Sequence, residues 1–144
     1  MRKVAVVYWS GTGNTEYMAK SVAEGVREAG AEAVMLGADS FGPEAFDDYS
    51  AVAFGCPAMG AEVLEESEFE PMFCDCEPVL SGKKIALFGS YGWGSGEWMI
   101  DWDKRCKDAG AELVVPYVIC QETPDAAGVA ECKALGKALG GIEK

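Results

Sequence analysis

At 144 residues the chain has the length of one domain, enough to bury roughly two-thirds of its unfolded surface around a single core. Its 24 acidic residues against 12 basic ones leave a formal net charge of −12, which disfavours nucleic acid and anionic membranes and favours basic protein surfaces. No apolar run approaches the ~20 residues needed to span a bilayer, and a chain with no histidine supplies neither mixed Cys/His zinc ligands nor a His-based catalytic triad.

Met1-Arg2-Lys3 and the apolar run from Val4 to Trp9 imitate a secretory leader, but the run is short and opens into a polar glycine loop. It reads instead as a buried strand, Val4 to Tyr8. With no export signal the chain is expected in the cytoplasm, with Cys56, Cys74, Cys76, Cys106, Cys120 and Cys132 as thiols that form no CxxC pair. Further short, nearly unbroken apolar runs follow at Ala33 to Leu36, Ala51 to Cys56, Ile85 to Phe88 and Leu113 to Cys120, the pattern of strands covered on both faces.

Between these runs apolar residues recur three and four apart, as on helix faces: Met18, Val22 and Val26, then Phe69, Met72 and Phe73. Trp98, Trp102 and Cys106 form a third face, and Cys132, Leu135, Gly136 and Leu139 a fourth. Gly30 and Gly110 each follow a helical stretch and suit its left-handed end, while Gly42-Pro43 suits a turn into a short helix before Asp48. Strict alternation of strand and helix implies an α/β fold: a five-stranded parallel sheet covered on both sides, in the order 2-1-3-4-5. Pro116 fits that order, because a proline within a strand is tolerated mainly at a sheet edge.

In such a sheet ligands bind beyond the carboxyl ends of the strands, so the loops after strands one, three and four carry the function. The first is Ser10-Gly11-Thr12-Gly13-Asn14-Thr15, small glycine, hydroxyl and amide residues leading into a helix, the makings of a phosphate cradle. It has no Lys or Arg and lacks the Gly-Lys-Ser/Thr ending of a triphosphate loop, and Glu16 stands where a dinucleotide fingerprint needs its third glycine. A terminal monoester held by neutral donors fits best. The second loop, Cys56-Pro57-Ala58-Met59-Gly60-Ala61-Glu62, is apolar with one glycine that lets a peptide bond turn over. The third, Ser90-Tyr91-Gly92-Trp93-Gly94-Ser95-Gly96, carries an aromatic at the tip of a glycine-rich turn with no core to fill, which suits a stacking platform.

Tyr8-Trp9-Ser10-Gly11-Thr12-Gly13-Asn14-Thr15-Glu16, Gly55-Cys56-Pro57-Ala58-Met59-Gly60 and Phe88-Gly89-Ser90-Tyr91-Gly92-Trp93-Gly94 together resemble the three FMN loops of clostridial-type, short-chain flavodoxins. The resemblance spans the chain and implies one flavodoxin-like three-layer α/β/α domain over residues 1–144. It implies a low-potential one-electron carrier that holds FMN non-covalently, uses its semiquinone/hydroquinone couple and substitutes for ferredoxin. Its partners would be redox proteins with basic docking surfaces, such as ferredoxin-dependent reductases and oxidoreductases, and it would act as a monomer, without nucleic acid, membrane or metal.

By position, Ser10, Thr12, Asn14 and Thr15 would hold the phosphate with the amides of Gly11 and Gly13, beside Trp9. Met59 would cover the inner flavin face and Trp93 the outer one, with Ser90, Tyr91, Gly92 and Gly94 completing that loop. Glu62 would meet the flavin N3 proton, and Gly60 would let the Met59-Gly60 peptide turn on reduction. Pro57 stands where some members have a serine able to reach the phosphate, so Pro57 and Ala58 are left to bound the ribityl chain. A non-redox FMN store or sensor, or a small flavin-dependent reductase, is the alternative on the same architecture.

Overall fold

The computed structural model describes residues 2–60 and 62–142. Four of the apolar runs become the parallel strands β1 (Lys3–Tyr8), β2 (Glu32–Gly37), β3 (Ala51–Gly55) and β4 (Lys84–Tyr91). The interiors of β1, β3 and β4 are fully buried, whereas β2 is half-buried at the edge. The last run gives two pieces, β5 (Glu112–Leu113) and β6 (Val118–Gln121), both parallel to β4. The sheet order is β2-β1-β3-β4-β5, as the strand–helix alternation implies.

One expectation is corrected: the fifth strand is not continuous. Pairing stops with Leu113 opposite Ile85 and resumes with Val118 opposite Phe88. Pro116 lies in the gap with no N–H to offer the neighbouring strand, so the edge parts from β4 and rejoins it at Val118.

Helices α1 (Asn14–Glu28) and α4 (Ala126–Gly140) cover one face, and α2 (Phe69–Cys76) and α3 (Glu97–Asp108) the other. Alternate residues of β1 feed the two cores: Val4 and Val6 join Met18, Val22 and Leu135, while Ala5 and Val7 join Phe69, Phe73 and Trp102. In the second core Trp102 meets the rings of Phe69 and Phe73 edge-on, with centroids 5.4 and 5.7 Å away. Arg105 fastens α3 to the segment beside it through Glu70 and Glu77 at 2.6 and 2.7 Å. Gly30 and Gly110 take φ of 90° and 86° after α1 and α3, and Pro43–Asp48 forms a short 3-10 turn, both as expected.

Helix α1 sets the position of the first loop, and glycines press it against α4. A Cβ on Gly25 would lie 2.0 Å from the Lys133 carbonyl oxygen, and one on Gly136 2.0 Å from that of Val22. The backbones therefore touch where side chains would hold them apart.

Helix α2 is started by a buried acid. Glu65 is 5% exposed and its carboxylate accepts the N–H groups of Ser67, Glu68 and Phe69 at 2.7–2.9 Å, together with the Ser67 hydroxyl. Burial alone would raise the carboxyl pKa, but the Ser67 hydroxyl and the three N–H groups outweigh it and hold the group down at about 2.

Two expectations follow from these contacts. Gly136→Ala, although alanine is the better helix former, lowers the unfolding free energy by roughly 1–3 kcal/mol in urea titration, because the helices must separate. Since the folded pKa of Glu65 lies below its unfolded value, its ionisation stabilises the fold above about pH 5, and that contribution disappears as pH falls toward 2. The stability gap between wild type and Glu65→Gln is therefore widest at neutral pH and shrinks on acidification, measured as urea midpoints from pH 7 to pH 3.

Candidate functional site

The loops after β1, β3 and β4 extend the sheet's own ladder. Trp9 N–H donates to Gly55 O at 3.1 Å, Cys56 N–H to Phe88 O at 3.2 Å and Ala58 N–H to Ser90 O at 2.9 Å. The loops therefore stay side by side past the strand ends, at the point where the strand order reverses between β1 and β3. Between them runs a groove of about 460 Å³, within the roughly 300–1,000 Å³ typical of small-molecule sites.

The first loop contributes Trp9, Ser10, Gly11, Thr12, Asn14 and Thr15 to the groove. Helix α1 begins at Asn14, so the N–H groups of its first turn have no carbonyl within the helix and offer partial positive charge to an anion. Ser10 Oγ accepts the N–H groups of Gly13 at 3.1 Å and Glu16 at 3.2 Å, which curls the loop over the helix start. The Gly13 amide is thus turned toward Ser10, and Gly13 lines a separate groove with Tyr17 and Lys20. Trp9 covers Gly11, where a Cβ would come within 3.1 Å of the indole, and its Nε1–H donates to Glu68 at 3.2 Å.

Pro57, Ala58 and Met59 supply the apolar wall. Met59 and Val63 pair through two antiparallel bonds, Met59 N–H to Val63 O at 2.9 Å and Val63 N–H to Met59 O at 3.2 Å, so the expected loop is a small hairpin. Gly60 sits at its turn with φ of 26°, and a Cβ added there would meet nothing within 4 Å. Glu62 has φ of 54° and its Oε1 accepts the Glu97 N–H at 3.1 Å, tying the hairpin to the start of α3.

Ser90, Tyr91 and Gly92 form the opposite wall, and Tyr91 rests on the buried Trp98 with centroids 5.6 Å apart. Trp93 is 68% exposed beside a small crevice that it shares with Met59, Gly60 and Glu62. Gly94 backs onto Glu62, whose Oε1 would lie 2.7 Å from an added Cβ. Trp98 and Trp102 belong to the core, and Trp98 Nε1–H donates to Cys56 O at 3.2 Å behind the groove.

Sequence reasoning missed a fourth loop. Glu122 and Thr123 also line the groove; Glu122 N–H donates to Tyr91 O at 2.7 Å and Thr123 Oγ1 to Asn14 Oδ1 at 3.0 Å. The one signal for this loop was its position after the last strand, at the same end of the sheet as the others.

The donor set fits a phosphate monoester. The lining contains no Lys or Arg; the hydroxyls of Ser10, Thr12 and Thr15 and the Asn14 amide gather at the start of α1, and Pro57, Ala58 and Met59 form a separate apolar wall. That division suits a ligand with an anionic tail and a flat, largely apolar head.

The family model for flavodoxin matches residues 6–136. The chain is 49% identical to a flavodoxin of Megasphaera elsdenii, over 94% of this chain and 96% of that one. It is 44% identical to a flavodoxin of Clostridium beijerinckii, over 95% and 99%. The solution structure of two-electron reduced Megasphaera elsdenii flavodoxin superposes with a TM-score of 0.88 at 47% identity, covering 95% of this chain and 98% of that one. The sheet order, the cation-free cradle and these likenesses agree, and the chain belongs to the flavodoxin family of FMN-binding electron carriers.

Proposed function

We propose that the chain, as one domain over residues 1–144, carries single electrons at low potential in the cytoplasm, in ferredoxin's place and as a monomer. The observation that carries this reading is the groove itself, a cation-free hydroxyl and amide cradle with Met59 on its apolar wall and the exposed Trp93 sharing a small crevice with Met59 beside it. FMN supplies the one-electron chemistry when bound. The chain's residues do the rest.

Ser10, Thr12, Asn14 and Thr15 hold the phosphate through neutral donors, with the α1 start behind them. Trp9, Pro57 and Ala58 bound the ribityl chain, Met59 covers one face of the ring and Trp93 the other, and Glu62 stands by its polar edge. Gly60 lets the Met59-Gly60 peptide turn its carbonyl from the Val63 N–H toward the ring, exchanging one neutral hydrogen bond for another of roughly 0.5–1.5 kcal/mol, so that the balance favours one reduction level over another. Glu122 lines the groove, Glu62 the crevice beside it, Glu68 accepts the Trp9 indole N–H and Glu97 opens α3 against Glu62. A carboxylate ~10 Å from the ring opposes added negative charge by about 0.4–0.8 kcal/mol at effective dielectrics of roughly 40–80, so several together lower the potential.

Glu62 shares a crevice with the exposed Trp93, and the acids at this end of the sheet would receive a redox partner with a basic surface. The six cysteines stand as free thiols, which suits a reducing compartment.

Reductive titration by dithionite tests the reading: wild type loaded with FMN takes up two electrons in separate steps. Gly60→Ala adds no steric contact, so its effect is backbone strain of ~1–2 kcal/mol at positive φ. It lowers the first potential by about 40–90 mV, at 59 mV per tenfold for one electron, and narrows the gap to the second. Trp93→Ala weakens FMN binding about 5- to 150-fold, from a stacking contribution of ~1–3 kcal/mol, in a flavin-fluorescence titration. Unchanged potentials would remove the peptide switch, and unchanged affinity would remove the stack.

A further inference from the structure

A phosphate dianion is purely an acceptor, so each neutral group of a cation-free cradle is useful only if its hydrogen, and not its lone pair, faces the groove. The lone pairs of three cradle residues are occupied from elsewhere. Ser10 Oγ already accepts two backbone N–H groups, those of Gly13 and Glu16, leaving its own hydrogen free to donate. Asn14 Oδ1 accepts the Thr123 hydroxyl at 3.0 Å, which fixes the amide with its NH₂ turned the other way. Thr15 Oγ1 lies 2.7 Å from Ser90 Oγ, a pair of hydroxyls 1% and 4% exposed and 75 residues apart in the chain.

A hydroxyl has a single hydrogen, so only one member of the Thr15–Ser90 pair can donate outward. Thr15 stands in the first turn of α1, where the helix end draws an anion. We infer that Ser90 and Thr123, contributed by two other loops, are positioning residues that donate to Thr15 and Asn14 and thereby turn the hydrogens of both toward the FMN phosphate. This rests on the FMN reading above. Ser90 then acts through Thr15 and makes no phosphate bond of its own.

A double-mutant cycle on apoprotein, titrated separately with FMN and with riboflavin, tests the assignment. Thr15→Val weakens FMN binding about ten- to hundredfold, as expected for a lost bond to a charged group, and Ser90→Ala about three- to tenfold. In the Thr15→Val background Ser90→Ala adds less than twofold. Riboflavin, which has no phosphate, is bound equally by all four proteins, a result that general loosening of the fold would not give. Thr123→Val, on an exposed loop, lowers FMN affinity threefold or more and leaves riboflavin affinity unchanged.

Equal losses from Ser90→Ala with and without the Thr15 hydroxyl overturn the inference, as does a larger loss from Ser90→Ala than from Thr15→Val. Equal losses for the two flavins in Thr123→Val overturn the role of Thr123. Each of these results leaves the FMN reading standing. Wild type that takes up neither flavin overturns both.

Discussion

A dianionic ester must be held here by a chain with a net charge of −12 and a groove without a cation. Backbone N–H groups and side-chain donors have to supply the whole attraction, and each has to arrive already aimed. This constraint explains why so much of the molecule is arranged around the first turn of α1. The glycine contacts fix α1 against α4 at backbone distance, and the ladder of Trp9, Cys56 and Ala58 keeps three loops abreast. The partial positive charge of a helix end falls off within a turn, so a small displacement of α1 would forfeit much of it.

The other end of the groove follows a different rule. There the requirement is an apolar enclosure with one adjustable backbone joint. The Met59–Val63 hairpin provides the joint at Gly60: turning the Met59-Gly60 peptide releases its carbonyl from the Val63 N–H, while the Met59 N–H keeps its bond to Val63 O. Glu62 anchors that tip to the start of α3 through Glu97, and Arg105 anchors α3 in turn to Glu70 and Glu77. A peptide thus turns against a rigid frame, which is what makes its orientation energetically meaningful.

The strands and helices were legible because burial imposes periodicity: the unbroken runs at Val4 to Tyr8 and Ala51 to Cys56, and the three- and four-residue spacing of Met18, Val22 and Val26. The three loops were legible because glycines, hydroxyls and a stranded tryptophan are costly to keep without a ligand. The break at Pro116 was only half legible, since a proline at an edge can be tolerated or can part the ladder, and pairing with β4 decides. Glu65 as the start of α2, Thr15 with Ser90 and Thr123 with Asn14 could not be read at all. The last two pairs join residues 75 and 109 positions apart, and one sequence carries no trace of such partnerships.

Cys56 lies directly behind the groove, fully buried, with its sulfur accepting the Glu65 N–H at 3.4 Å. Burial pushes this thiol up to about 12, so it remains protonated at any physiological pH. Oxidants such as peroxide attack thiolates far faster than thiols. A sulfur kept neutral and sheltered at that spot can back the groove without being consumed by an oxidant that enters it.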